Sequence, residues 1–170
     1  MPDYFKSREN VKLVIVGSGP ALEKLQHLTK QLGITDRLIF TGAQPWDTIG
    51  LFYRLGDVFV SASKSETQGL TYIEAMASGL PVIAREDKCL EDILTQGYNG
   101  YSFTNNEGLY YGLDQVLFND TQTNYGDNSV EKVRQYSTQE FAYQVENVYN
   151  LVTSRDKVFR KRQVYESRKI

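Results

Sequence analysis

Short apolar runs alternate with segments of helical spacing along most of this chain, and that alternation restricts the fold more than any other feature. Val11–Val16 is apolar and rich in β-branched residues, the pattern of a buried strand. The turn Gly17-Ser18-Gly19-Pro20 follows. Ala21, Leu22, Leu25, Leu28 and Leu32 then recur at helical spacing, and Gly33 closes that helix. Arg37–Phe40 reads as a second strand, Thr41–Pro45 as a loop and Trp46–Leu55 as a helix. Asp57–Ser61 is a third strand. Gly69–Ser78 is a helix, ended by Gly79 and by Pro81, which opens a fourth strand over Pro81–Ala84. Gly100–Phe103 is a fifth strand, and the chain beyond Asn105 is helical with a break near Asn119–Asp127. Strands alternating with helices pair in parallel through right-handed crossovers. The expected class is therefore α/β, a Rossmann-like three-layer sandwich with a parallel sheet and a helical C-terminus. Ligands of such sheets bind beyond the carboxyl ends of the strands. Gly17–Pro20, Thr41–Pro45, Ser63–Gly69 and Arg85–Asp87 each follow a strand, so they are expected on one rim.

Bulk properties exclude several function classes. A net charge of −2 argues against broad nucleic-acid binding. One cysteine, Cys89, rules out an internal disulfide and fits a reducing cytoplasm. No apolar run reaches the ~18 residues of a membrane span. Residues 1–10 are polar and mixed in charge, and read as a lead-in rather than a signal peptide. Residues 11–136 then form the α/β domain, and 137–170 a C-terminal helix with a basic tail. His27 is the single histidine, which excludes a metal site built on an imidazole pair. The acidic pairs Glu86-Asp87 and Glu91-Asp92 read as solvated loop residues, and no metal or other cofactor is expected. Cys89 has no base near it in sequence and reads as an inert thiol.

Chemistry concentrates at Glu66 and Glu74, eight positions apart on either side of Gly69. Gly69 lets the backbone approach a ligand, and the amides of Gly69, Leu70 and Thr71 open a helix where an anion is favoured. A carboxylate repels a diphosphate, so the two glutamates should face hydroxyl groups, whose protons an ionised carboxylate accepts. Leu70, Ile73 and Ala77 read as the buried stripe of this helix, which leaves Glu74 off the core. The spacing alone also fits two acids that merely favour a helix start. The turn Gly17–Leu22 lacks the third small residue of a dinucleotide fingerprint, since Leu22 occupies that place, and Thr41 stands where an acid would end the second strand.

The wider pattern Ser63-x-x-Glu66-x-x-Gly69-x-x-x-x-Glu74-Ala75-Met76-Ala77-x-Gly79-x-Pro81-Val82 resembles the signature of retaining GT-B glycosyltransferases of the large family 4 type. Leu13-Val14-Ile15-Val16-Gly17-Ser18-Gly19-Pro20, Leu38-Ile39-Phe40-Thr41-Gly42, Leu51-Phe52-Tyr53 with Asp57–Ser61, Glu91–Leu94 and Gly97-Tyr98-Asn99-Gly100 extend the likeness over roughly residues 10–120. The resemblance implies the second, donor-binding half of a GT-B fold. It implies that Glu66, the candidate catalytic residue, holds hydroxyls of the donor sugar rather than acting as a base. Glu74 would hold the ribose hydroxyls, and the amides of Gly69 and Leu70 the phosphate or sugar. The backbone around Gln44 would meet the nucleobase, and Gly17 and Gly19 would let the donor pack close. The run around Glu66 and Glu74 also looks like bacterial diacylglycerol glucosyltransferases, which implies UDP-glucose as donor and a membrane lipid as acceptor.

The same resemblance implies an acceptor domain and a first strand and helix, bearing a diphosphate-binding Arg and Lys, that nothing before Val11 resembles. Lys64 or Arg85 is the candidate replacement for that counter-charge, a large term where a diphosphate leaves. Residues 1–170 alone are therefore expected to lack transferase activity. Seven Lys or Arg against two acids between Ser154 and Ile170, interleaved with Val158, Phe159 and Val164, could lie on an anionic membrane face, but read more simply as a solvated C-terminal helix or frayed tail. The expected location is cytoplasmic, peripheral on the inner membrane face. Two other readings remain open: a non-catalytic sugar-nucleotide-binding or partner-binding module, and a GT-B relative such as a UDP-sugar epimerase.

Overall fold

A computed structural model describes the backbone of residues 1–64, 69–119 and 123–166, with side chains described through residue 153. Among the described residues five strands, β1 (Leu13–Val16), β2 (Leu38–Gly42), β3 (Phe59–Ser61), β4 (Val82–Arg85) and β5 (Gly100–Phe103), alternate with helices except between β4 and β5, where a 3-10 turn over Lys88–Leu90 intervenes. The helices are α1 (Pro2–Ser7), α2 (Leu22–Gln31), α3 (Ile49–Leu55), α4 (Leu70–Ala77), α5 (Asn106–Leu117), α6 (Tyr125–Val133) and α7 (Thr138–Glu166). The three strand pairings are parallel, as the alternation predicts, and one isolated antiparallel bridge joins Gly17 to Gly42. Gly33 and Gly79 follow α2 and α4 at φ +66° and +84°, so these glycines stop their helices by the left-handed turn that a Cβ disfavours.

The pairing falls into two ladders, β1–β2 and β3–β4–β5, rather than the single sheet that alternation suggests. In the doubly wound order 3-2-1-4-5-6 the first strand separates those two groups. Among the described residues no strand pairs with both β1 and β3.

The lead-in over residues 1–10 proves to contain α1, whose adjacent Tyr4 and Phe5 are both buried. Tyr4 joins the core cluster of Ile83, Phe103, Leu109 and Leu113, against which α5 covers β4 and β5. Its hydroxyl donates to Asp114 Oδ1 at 2.9 Å, and Arg8 clasps both oxygens of the same carboxylate at 3.1 Å. Phe5 turns to the other ladder and lines an apolar cavity of about 330 Å³ with Leu13, Ile15, Leu25, Leu28 and Phe40. One short helix thus contacts the side chains of both ladders.

Two compact units divide the chain, residues 1–132 and 133–170. In the second, α7 carries Phe141, Val145, Val148 and Val152 at helical spacing, all exposed. The side chains of the basic tail proposed from Ser154 onward lie outside the described residues. Among the described residues, no helix is long and apolar enough to cross a membrane.

Candidate functional site

The turn after β1 is joined by its backbone to the last residue of β2, where the next loop begins. The Gly17 N–H donates to the Gly42 carbonyl at 2.8 Å. Gly17 sits at φ +136° and Gly42 at +70°, and a Cβ at Gly17 or Gly19 would meet nothing within 4 Å. Backbone conformation rather than crowding by this chain therefore selects glycine at position 17, and open space lies beside the turn. The Gly19 carbonyl accepts from the Leu22 N–H at 3.1 Å as α2 begins. Gln44 folds its side chain inward, its Nε2 donating to the Thr41 carbonyl at 2.8 Å. That bond shapes the loop whose backbone was expected to meet a base.

The second group of residues gathers at the start of α4. Gly69 is buried at φ +63°, and a Cβ there would stand 3.0 Å from Tyr72 Cδ2 and 3.6 Å from Cys89 Sγ. Both the left-handed backbone and the tight packing exclude a larger residue. The Gly69 carbonyl accepts from the Tyr72 N–H at 3.0 Å, and no described side chain caps the helix start. The first amides of α4 therefore keep their preference for an anion.

The buried face of α4 is not the expected one. Tyr72, Ala75 and Met76 are fully buried, whereas Leu70 is 58% exposed, Ile73 half-buried and Ala77 exposed. Two apolar sets share this helix at similar spacing, and tertiary partners choose between them. The Tyr72 hydroxyl meets Ser61 Oγ at 3.0 Å and its ring meets Phe59 edge-on. Glu74 stays off the core, exposed beside Leu70, and accepts a hydrogen bond from Tyr53 Oη at 3.0 Å on its Oε2. Tyr53 stood within a motif in the sequence but carried no role there. A phenol twenty-one positions from its partner leaves no local signal.

Gly17, Gly19 and Gln44 thus share one joined pair of loops, and Gly69, Leu70 and Glu74 share the first turns of α4. Glu66 lies outside the described residues. Lys64 is exposed beyond the end of β3, and Arg85 is half-buried as the last residue of β4. Asp87 accepts from the Cys89 N–H at 3.0 Å, capping a short 3-10 turn. No group of three or more potential metal ligands occurs among the described residues.

A sequence profile for glycosyl transferases group 1 matches residues 2–139. The chain belongs to this family. It is 36% identical over 147 residues to an alpha-monoglucosyldiacylglycerol synthase of Streptococcus pneumoniae, covering 86% of this chain and 33% of that protein. It is 31% identical over 162 residues to an alpha-monoglucosyldiacylglycerol synthase of Acholeplasma laidlawii, covering 94% and 41%. The chain spans roughly a third to two fifths of these curated relatives. Among solved structures, a mutant of S. aureus TarM in complex with fondaparinux, alpha-GlcNAc-glycerol and UDP superposes with a TM-score of 0.77. That match has 26% identity and covers 88% of this chain and 31% of TarM. The fold of this group 1 glycosyltransferase chain is accordingly the Rossmann-like C-terminal half of a GT-B enzyme.

Proposed function

We propose that this chain is the donor-binding half of a retaining hexosyltransferase that uses UDP-glucose and glycosylates a membrane diacylglycerol lipid. The observation that carries the reading is the start of α4, where a buried, left-handed Gly69 opens the helix with no cap from a described side chain and Glu74 presents a carboxylate about one turn further on. The diphosphate of the donor lies at this helix start, attracted by the first N–H groups of the helix and its dipole. Glu74 accepts from the ribose diol, a pairing that charge strengthens. The Gly17 and Gly19 turn admits the donor closely, and the backbone at Gln44 meets the base. Glu66, by family resemblance, holds hydroxyls of the transferred sugar. The leaving diphosphate needs a counter-charge, and Lys64 and Arg85 are the cations nearest the start of α4 in sequence. Glucose and the lipid acceptor are supported by the two relatives named as monoglucosyldiacylglycerol synthases. Uracil is supported by the UDP complex of the structural relative. The basic residues after Ser154 suit docking on an anionic leaflet.

Calorimetric titration of the chain with UDP, UDP-glucose and GDP-mannose tests this reading. The uridine nucleotides should bind and GDP-mannose should bind more weakly. Glu74→Ala should raise the Kd for UDP by about tenfold or more, the loss of hydrogen bonds to a charged acceptor. An unchanged Kd in Glu74→Ala contradicts the ribose role, and a preference for GDP-mannose contradicts the donor assignment.

A further inference from the structure

Tyr53 has no part in the donor contacts proposed above, yet its hydroxyl is the described side-chain donor to Glu74, Oη to Oε2 at 3.0 Å. The two residues come from different helices, α3 and α4, which pack against each other. We propose that Tyr53 is a positioning residue that fixes the Glu74 carboxylate for a cis-diol, the ribose of a nucleoside diphosphate. This inference rests on the ribose role of Glu74 given above.

Four features support it. An ionised carboxylate offers about four acceptor sites on two oxygens, so one phenol leaves the rest open to a diol. Glu74 is exposed, and an exposed glutamate gives up rotamer freedom when it binds. A bond already formed in the free protein removes part of that loss. Tyr53 is itself held by rigid structure. Its ring lies 5.8 Å from Phe59 of β3 at 60°, Phe59 lies 5.9 Å from the fully buried Tyr72 at 79°, and Tyr72 is tied to Ser61 at the end of β3. The carboxylate is thus referenced to a strand through a relay of aromatic rings. Burial, and after it the neighbouring carboxylate, push the Tyr53 phenol well above its ordinary pKa, so it stays protonated and remains a donor at neutral pH.

A plain interhelical tie would show the same geometry, and the choice of nucleotide separates the two roles. The experiment titrates the 170-residue chain, Tyr53→Phe, Glu74→Ala and the double variant with UDP and with 2′,3′-dideoxy-UDP. Tyr53→Phe keeps the ring and removes one hydroxyl. It should raise the Kd for UDP about fivefold, the effect of one hydrogen bond. It should leave the Kd for the dideoxy nucleotide unchanged, and it should add nothing in the Glu74→Ala background. Equal weakening toward both nucleotides overturns the proposal and leaves Tyr53 a framework residue. An unchanged Kd for UDP in Tyr53→Phe, beside a weakened Glu74→Ala, also overturns it while the ribose role of Glu74 stands. No loss in Glu74→Ala, or no binding of UDP by the folded wild-type chain, overturns both.

Discussion

Gly100→Ala is expected to destabilise the chain by about 3 kcal/mol or more, combining a forbidden backbone conformation with a severe overlap. Gly100 opens β5 at φ +152° and stands opposite Val82 in the parallel ladder. A Cβ at this position would fall 1.8 Å from the Val82 carbonyl oxygen and 2.9 Å from the Val82 nitrogen. Those atoms are backbone of the fully buried Val82, so no side chain can swing aside to make room. Either β4 and β5 separate or the turn before β5 is rebuilt. That turn closes through a bond from the Gly97 N–H to the Gly100 carbonyl at 2.9 Å. For a chain of this size the loss corresponds to a fall in Tm of about 6–12 °C or more. Thermal unfolding followed by circular dichroism measures it. A Tm within 2 °C of wild type, on the order of experimental scatter against such a shift, would show that the β4–β5 pairing differs from that described here.

Asn99→Ala should cost about 2–4 kcal/mol, because it leaves buried backbone groups unpaired. Asn99 is fully buried and its side chain works in both directions. Its Oδ1 accepts from the Thr95 N–H at 2.8 Å, and its Nδ2 donates to the Ile93 carbonyl at 2.9 Å. Nδ2 also lies 3.7 Å from Met76 Sδ, which ties this turn to the buried face of α4. The backbone of the same residue serves the sheet, since the Asn99 carbonyl accepts from the Val82 N–H at 3.1 Å. Truncation removes both side-chain bonds and opens a small cavity. Asn99→Asp keeps the acceptor but loses the donor to Ile93, and it places an ionisable group in the core. It should therefore destabilise too, and more as pH rises and the buried carboxylate must ionise. Urea unfolding at two pH values checks both variants. A loss below about 1 kcal/mol in Asn99→Ala would mean that water replaces the amide.

These two residues show what could be read from the chain and what could not. Gly97-Tyr98-Asn99-Gly100 was legible as part of a family pattern, and its position before the fifth strand was legible from the apolar run that follows. Its structural demand was not. That demand arises from Val82, eighteen positions away from Gly100, and is met only once β4 and β5 pair. The strands and most helices were legible because the apolar runs of β1 and β2 end at Gly17 and Gly42, Gly79 and Pro81 precede β4, and Gly33, Gly69 and Gly79 do adopt positive φ. Helix α1 escaped notice because its two buried residues, Tyr4 and Phe5, are adjacent and give no helical period. Asp114, which receives Tyr4 and Arg8, is more than a hundred positions away. The stripe on α4 was misread for a related reason. Leu70, Ile73 and Ala77 and the set Tyr72, Ala75 and Met76 satisfy the same periodicity, and only packing on β3 and β4 distinguishes them. The exposed position of Glu74 survived that error, because it lies outside both sets.

The most direct test of the central claim is a titration of the isotopically labelled chain with UDP, followed residue by residue through backbone amide NMR. Saturable shifts are expected in the Gly17–Gly19 turn, the Gly42–Gln44 segment and the start of α4 from Gly69 to Glu74, and nowhere else, with the amides of Gly69 and Leu70 among the largest. Amides of α5 and of the apolar cavity beneath Phe5 should remain unmoved. Shifts centred away from the α4 start, or none in a chain whose spectrum is that of a folded protein, would contradict the assignment of this edge as a nucleotide-sugar site.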